Sequence, residues 1–315
     1  MTATGHGPDR AYFLATPSIG SIPNNTLFRY RDRDLHQTDA RYHAQGVPAA
    51  VGDRDEFITF LPQQFVSTGD ILHTPMPSRR LEFFNAGPRY SGHILQQYLP
   101  GGFPLFFEGS VDVPDTVYRT NRSPVRQEWN EALFGPDLSI AQTGNLFFRN
   151  GNTIRANIVS FSPSDANHTG TPVNDLFFVT GSARLLRDGK VVGTGAFPSL
   201  ASFTVPADTG VYTLEIKANR SKPWTTLAPS VNTNWAFTSG PTTAVESIPV
   251  PTIKTSGDFD GNDMAKGGAP FTLTVQAVTA AESMTSKVTV NSVEFSDDDG
   301  MTWQPASVTR AGGDN

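Results

Sequence analysis

Turn signals set between β-prone runs constrain this chain more than anything else in it. In LFFRNGNTIRANIVSF, Asn150-Gly151 separates two apolar-rich runs, as a two-residue type I′ hairpin turn requires. ARLLRDGKVVGTG repeats the arrangement around Asp188-Gly189, and the GTG at 193–195 reads as turn glycine. The octapeptide SDDDGMTW, Ser296 to Trp303, fits the Asp-box pattern S-x-D-x-G-x-T-W residue for residue. Ser296 and Asp298 can hydrogen-bond amides of their own turn there, and Gly300 supplies a positive φ where the chain reverses. Trp303 is expected to return on the second strand and pack its ring against the sheet. Such a box is a hairpin staple with no catalytic group, and function has to be argued from sites.

FTVPADTGVYTLEIKA carries D-x-G-x-Y at Asp208, Gly210 and Tyr212. This resembles the tyrosine corner of immunoglobulin-like sandwiches, in which the phenol hydroxyl bonds back to the backbone. Residues 140–245 therefore read as one immunoglobulin-like β-sandwich, closed by the strand around Trp235-Ala236-Phe237 and bounded by SIPVPTI. Before it, EFITFLP, RLEFFNAG, PLFFEGSVDV and EALFG alternate with turn residues and give an N-terminal β domain over 1–139. SGHILQQYLP is compatible with a short helix or a bent strand. After the linker, FTLTVQAV, KVTVNSVEF and MTWQPASV supply strands of a third unit over 246–315, a partial β-sandwich holding the Asp-box hairpin. Its roughly 60 residues fall short of the roughly 100 of an immunoglobulin-like sandwich, so a truncated last domain is expected. The fold class is all-β, as tandem antiparallel sandwiches of immunoglobulin or fibronectin III type.

Composition agrees. With 28 Gly and 24 Pro against only 17% charged residues, the chain is punctuated by turns, and 22 Phe argue against disorder. A formal net charge of −6 disfavours nucleic acid and anionic membrane as partners, which call for clustered Lys and Arg. With no Cys, disulfides and thiolate chemistry are excluded. No apolar run approaches the roughly 20 residues of a membrane span. The polar start MTATGHGPDR lacks signal-peptide character, so taken alone the chain reads as unexported.

Catalytic motifs are missing from the sequence. There is no G-x-S-x-G, no phosphate-cradling glycine loop and no H-E-x-x-H, and Ser283-Met284-Thr285-Ser286 lacks the preceding Gly-Thr of a protease serine. The histidines His6, His36, His43, His73, His93 and His168 are scattered singly and read as surface or hydrogen-bonded structural residues. Glu108, Glu128 and Glu131 lie near aromatics and are expected on a solvated face or rim. GDFDGND places Asp258, Asp260, Asn262 and Asp263 as hard oxygen donors in a turn, the ligand type calcium takes, against a plain solvated loop as the favoured reading. Asp297, Asp298 and Asp299 could likewise gather a cation, against an ordinary polar hairpin turn as the favoured reading.

The order of these pieces resembles the non-catalytic C-terminal region of actinobacterial subtilisin-like serine proteases. The segments that carry the resemblance are FRYRDRDLHQTDARYHAQG, WNEALFGPDLS, RNGNTIRANIVSFSPSDANHTG, RLLRDGKVVGTGAF, VPADTGVYTLEIKANR and VEFSDDDGMTWQPA. No position matches that family's Asp, His or Ser motifs, so no catalytic residue carries over. The resemblance implies export with the protease, an extracellular location, and an upstream protease domain or polymeric extracellular substrate as partner; the residues themselves call for no cofactor beyond the calcium weighed above.

A carbohydrate-binding module is the competing reading, with Trp129, Trp224, Trp235 and Trp303 as candidates for stacking on sugar rings. Trp235 and Trp303 sit in strand patterns and are expected in the core, whereas Trp224 follows SKP in a turn and is expected to be exposed. A sialidase-type propeller is disfavoured because the Asp box occurs once, without a recurring period.

Overall fold

Alternation along β2 (Arg10–Ala15) sets the plan of the first half of the molecule. Ala11, Phe13 and Ala15 are buried, while Arg10, Tyr12 and Leu14 face outward, the two-residue period of a strand covered on one side. A computed structural model describes residues 2–16, 27–59, 65–67, 71–98, 101, 111–112, 116–138, 147–165, 168–170, 179–279 and 288–310. Apart from one 3-10 turn at Asp32–Asp34, the regular structure in them is strand, so the protein is all-β with several separate sheets.

The first sheet joins β1 (Thr2–Gly7), β2, β7 (Ser78–Phe84), β3 (His36–Tyr42) and β11 (Val125–Trp129) in that order. Its β2 to β7 and β3 to β11 pairings are parallel, and the others are antiparallel. The second runs β16 (Thr169–Gly170), β9 (Val111–Asp112), β8 (Arg89–Tyr98), β4 (Ala50–Thr59) and β5 (Phe65–Ser67). It also takes β6 (Leu72–Met76) on β4 and β10 (Thr116–Val117) on β8. SGHILQQYLP resolves as strand: its residues up to Tyr98 belong to β8, and the register slips between Gly52 and Arg54. Two apolar clusters fill the space between these sheets, one around Phe13, Ile58, Phe84 and Tyr90, the other around Tyr42, Met76, Ile94 and Trp129.

In the second half, β19 (Leu200–Thr204), β14 (Thr153–Asn157), β13 (Phe147–Asn150) and β22 (Glu246–Ser247) form one antiparallel sheet. β18 (Lys190–Gly195), β17 (Thr180–Arg187), β20 (Gly210–Asn219) and β21 (Ser230–Ser239) form another. The two share one core, in which Phe147, Ile154 and Phe203 of the first meet Leu185, Tyr212, Leu214 and Trp235 of the second. Both hairpins expected here are present. At β17 to β18, Asp188 and Gly189 both have positive φ, as type I′ demands. At β13 to β14 the turn residues are Gly151 and Asn152 and only Gly151 has positive φ, so this turn follows the II′ pattern and not I′. The GTG glycines also differ from expectation, since Gly193 and Gly195 lie within β18. A Cβ on Gly193 would stand 2.7 Å from the Phe203 ring, and one on Gly195 would stand 2.9 Å from Ala201 Cβ, so glycine lets the two sheets close at this edge.

Three short pairs complete the fold: β12 (Gly135–Asp137) with β15 (Val159–Ser162), β23 (Pro251–Gly257) with β24 (Leu273–Thr279), and β25 (Glu294–Phe295) with β26 (Gln304–Pro305). Strand pairing crosses the expected boundaries at 139 and 245. β16 completes the sheet of β9, β12 pairs β15, and β22 at Glu246–Ser247 pairs β13. Turn composition marks where a chain bends, but partners distant in sequence decide which sheet a strand joins.

Candidate functional site

A buried cluster of polar groups lies where β3 and β11 end side by side. Their parallel register places Tyr42 opposite Trp129, so the residues that follow, His43 to Gly46 and Asn130 to Ala132, leave the sheet together. The turn after β23, residues 258–265, docks onto both. Ala44 N donates to Gly261 O at 2.9 Å and Gly46 N to Asn262 O at 3.0 Å. Asp263 accepts from Gln45 N at 3.1 Å and from Ala132 N at 3.0 Å.

His43 stands at the centre. Its Nε2 donates to Glu128 Oε2 at 2.8 Å, and Asp263 Oδ1 lies 2.8 Å from Nδ1 without hydrogen-bond alignment, an electrostatic contact. Side-chain exposures of 5% for His43, 8% for Glu128 and 0% for Asp263 close the group to solvent. Beside it, Ser164 Oγ donates to Glu131 Oε2 at 3.1 Å. Burial raises the Glu131 carboxyl above its ordinary range, against the opposing pull of His43 and the Ser164 bond. The Trp129 ring packs against His168 with centroids 4.4 Å apart.

Local backbone geometry is strained at this place. Gln45, Asn130 and Asp263 all have positive φ, which Asn and Asp tolerate better than Gln. A substitution at Gly46, at φ +78, would be strained, and its Cβ, 2.2 Å from Thr226 Oγ1, would force that side chain to move. A histidine between two carboxylates is the raw material of general acid–base chemistry, but both imidazole nitrogens and both Asp263 oxygens already face protein groups. The arrangement fixes three chain segments to one another.

Several expected sites change here. Glu128 and Glu131, expected on a solvated rim, are buried, Glu128 against His43 and Glu131 against Ser164; Glu108 lies outside the described residues, as do Ser283 to Ser286. The carboxylates of the acidic turn point in different directions. Asp258 is exposed, Asp260 Oδ1 caps the amides of Asn262 and Met264 at 2.8 and 3.0 Å, and Asp263 points the other way, to His43. Among the described residues no group of three or more His, Asp or Glu is placed to hold a metal.

The tryptophans divide differently from expectation. Trp224 is only 4% exposed and packs with Tyr42, Ala44 and Trp129, because the Lys222 to Thr225 bridge folds its turn inward. It cannot stack on a sugar. Trp303, expected in the core, is 60% exposed and lies over its own turn, its Nε1 donating to Gly300 O at 3.1 Å. Trp235 is buried and donates to Pro251 O at 2.8 Å.

In the Asp-box turn, Ser296 Oγ accepts from Gly300 N at 2.8 Å and donates to Asp298 Oδ1 at 2.7 Å. Asp298 also accepts from Thr302 N at 2.8 Å and Thr302 Oγ1 at 2.6 Å, and these bonds hold its carboxyl down at about 2. Gly300 has φ +83. At the D-x-G-x-Y motif, Tyr212 is fully buried but its hydroxyl finds no hydrogen-bond partner among the described residues, so the bond that defines a tyrosine corner is not made. Cross-strand pairing with Arg187 and Phe237 turns the ring into the core, and Arg187 binds Asp208 at 2.8 and 2.9 Å instead.

Sequence motifs gave no sign of a serine and histidine in contact on β8, where Ser91 Oγ lies 3.2 Å from His93 Nε2 with both side chains buried. The i, i+2 spacing was the available signal, because it puts both on one face of a strand. No protein-family model matches the chain, and the curated proteins contain no match to it.

Proposed function

We propose that this chain is a non-catalytic accessory region of a secreted subtilisin-like serine protease, built of tandem immunoglobulin or fibronectin III-like sandwiches, that supports the enzyme or engages polymeric substrate or the cell surface. The observation that carries the reading is the sealed His43, Glu128 and Asp263 group: among the described residues, this histidine between two carboxylates holds chain segments together and offers no approach to a substrate. The order of motifs shared with the C-terminal regions of those proteases supports the same reading.

The test is hydrolysis by the purified chain. Casein and fluorogenic peptides are expected to stay intact, and a subtilisin-like domain encoded in frame upstream is expected to survive heating longer with this chain than without it. Casein hydrolysis that persists through purification and disappears in Ser91→Ala or His93→Ala overturns the reading, since that buried pair is the nearest thing to a nucleophile and base.

A carbohydrate-binding module remains the second reading, favoured by one observation: the exposed Trp303 indole, with Met301 and Phe295 also exposed on the same hairpin. Retention on insoluble polysaccharide that is lost in Trp303→Ala would favour it, and retention on none would remove it.

A further inference from the structure

Between the first two sheets lies a buried charge cluster that the proposed function does not use. Arg54 on β4 reaches Glu56 Oε2 at 2.6 Å and Glu82 Oε2 at 3.2 Å with the same nitrogen. Arg80 on β7 grips Glu82 Oε1 with Nε at 3.0 Å and Nη2 at 2.9 Å, and the Tyr42 hydroxyl on β3 donates to that oxygen too. The Arg54 guanidinium lies over the rings of Phe13 and Trp129, each 4.8 Å from the centroid. All of Arg54, Glu56 and Glu82 are fully buried.

The two carboxylates are served unequally. Glu82 takes bonds from Tyr42, Arg80 and Arg54 on both of its oxygens. Glu56 takes one, from the nitrogen it shares with Glu82, and its Oε1 is buried without any hydrogen-bond partner among the described residues. Gly92, opposite Glu56 on β8, keeps the space: a Cβ there would lie 3.1 Å from both Arg54 Nη2 and Glu56 Oε2. The other titratable groups acting on Glu56 from the elements around it are His93 and Tyr90 on β8 and Tyr118 beyond β10. An ionised oxygen sealed from water without a donor costs far more than a neutral one, so a proton is stabilised first at Glu56.

We propose that Glu56 is a proton-binding site, which takes up one proton as the first two sheets close on each other and makes that half of the protein an acid-stabilised unit. Burial, outweighing the pull of Arg54, pushes the carboxyl up to about 7 and supports the same assignment. Arg54 and Arg80 outweigh burial at Glu82 and hold it below its ordinary range, so the pair is split into one acid and one base form. Between the ordinary value of 4.5 and about 7 the folded state holds a proton that the unfolded state has lost. Stability from this group is therefore present in full below pH 4.5 and declines as pH rises to about 7, and the unfolding constant rises about tenfold per pH unit across that window. This inference stands apart from the proposed function, since it concerns the interior of the first two sheets.

The experiment compares urea unfolding of wild type and Glu56→Gln from pH 4 to 9, with side-chain carboxyl carbon NMR of the wild type alongside. The difference between the two proteins cancels the other titrating groups. The expected result is a stability difference that changes through the window and is level above pH 8, and one glutamate carboxyl in the folded wild type titrating near pH 7. Parallel stability profiles, or carboxyl resonances that all titrate below about pH 5.5, overturn the proposal. If Glu56→Gln does not fold, the wild-type carboxyl titration alone decides.

Discussion

Lys254 Nζ stands 2.8 Å from Asp137 Oδ2, and this sealed pair fastens β23 to β12 across more than a hundred residues of sequence. Ser162 Oγ donates to the same carboxylate oxygen at 3.0 Å, Leu138 N donates to Oδ1 at 2.7 Å, and the ammonium also reaches Pro163 O at 3.0 Å. Charges withdrawn from water are tolerated only when such partners are complete. Together with the His43 junction, the pair makes residues 251–265 a clasp on the rest of the molecule.

Removing the ammonium leaves the Asp137 carboxylate buried without its lysine. Lys254→Met is expected to lose about 3–5 kcal/mol in urea unfolding, and adding Asp137→Leu to it is expected to recover most of the loss. A double variant as unstable as the single one would show that packing around β23, and not charge, sets the cost.

The His43 junction makes an unequal prediction for its two carboxylates. Asp263→Ala orphans the amides of Gln45 and Ala132 as well as losing the imidazole contact, and each buried unsatisfied amide costs about 1–3 kcal/mol. Glu128→Ala removes no acceptor from those amides. The Asp263 variant is therefore expected to be the less stable in denaturant titration, and to be cut first by protease within 258–265.

Trp224 and Trp303 should respond in opposite ways. Trp224→Ala opens a cavity beside Tyr42 and Trp129 and is expected to cost about 3–5 kcal/mol. Trp303→Ala touches an exposed ring and is expected to stay within about 0.5 kcal/mol of wild type. Thermal melts of the two variants, read with intrinsic fluorescence, check both.

The Asp-box turn carries its own acid limit. The hydrogen bonds of Thr302 and Ser296 lower the Asp298 carboxyl to about 2, against an unfolded value of 3.8. The stability this group adds to the turn is complete above pH 3.8 and is lost as pH falls through about 2. The Thr302 amide proton is expected to shift with a midpoint near pH 2, and Asp298→Asn to abolish that titration. A midpoint near pH 4 would mean that the turn bonds do not form in solution.

Local chemistry in this chain was legible from its letters. Turn dipeptides such as Asp188-Gly189, the alternation of β20 and the glycine at position 300 follow from φ/ψ preference and a period of two, which act between neighbours. The same local rules misjudged Trp224 and Trp303, because exposure depends on what folds over a turn and no neighbour reports that. Tyr212 had the spacing of a corner, but its hydroxyl makes no hydrogen bond among the described residues, and Asp208 of the same motif pairs with Arg187 on a neighbouring strand.

An all-β chain and the positions of several hairpins were readable without coordinates, since strand pattern and turn residues are local properties. That Asp263 meets His43, that Lys254 meets Asp137, and that Glu56 and Glu82 share one arginine became visible once the sheets were assembled. Those pairings join segments tens to hundreds of residues apart, and their energies come from burial and partner geometry that exist only once the sheets have packed.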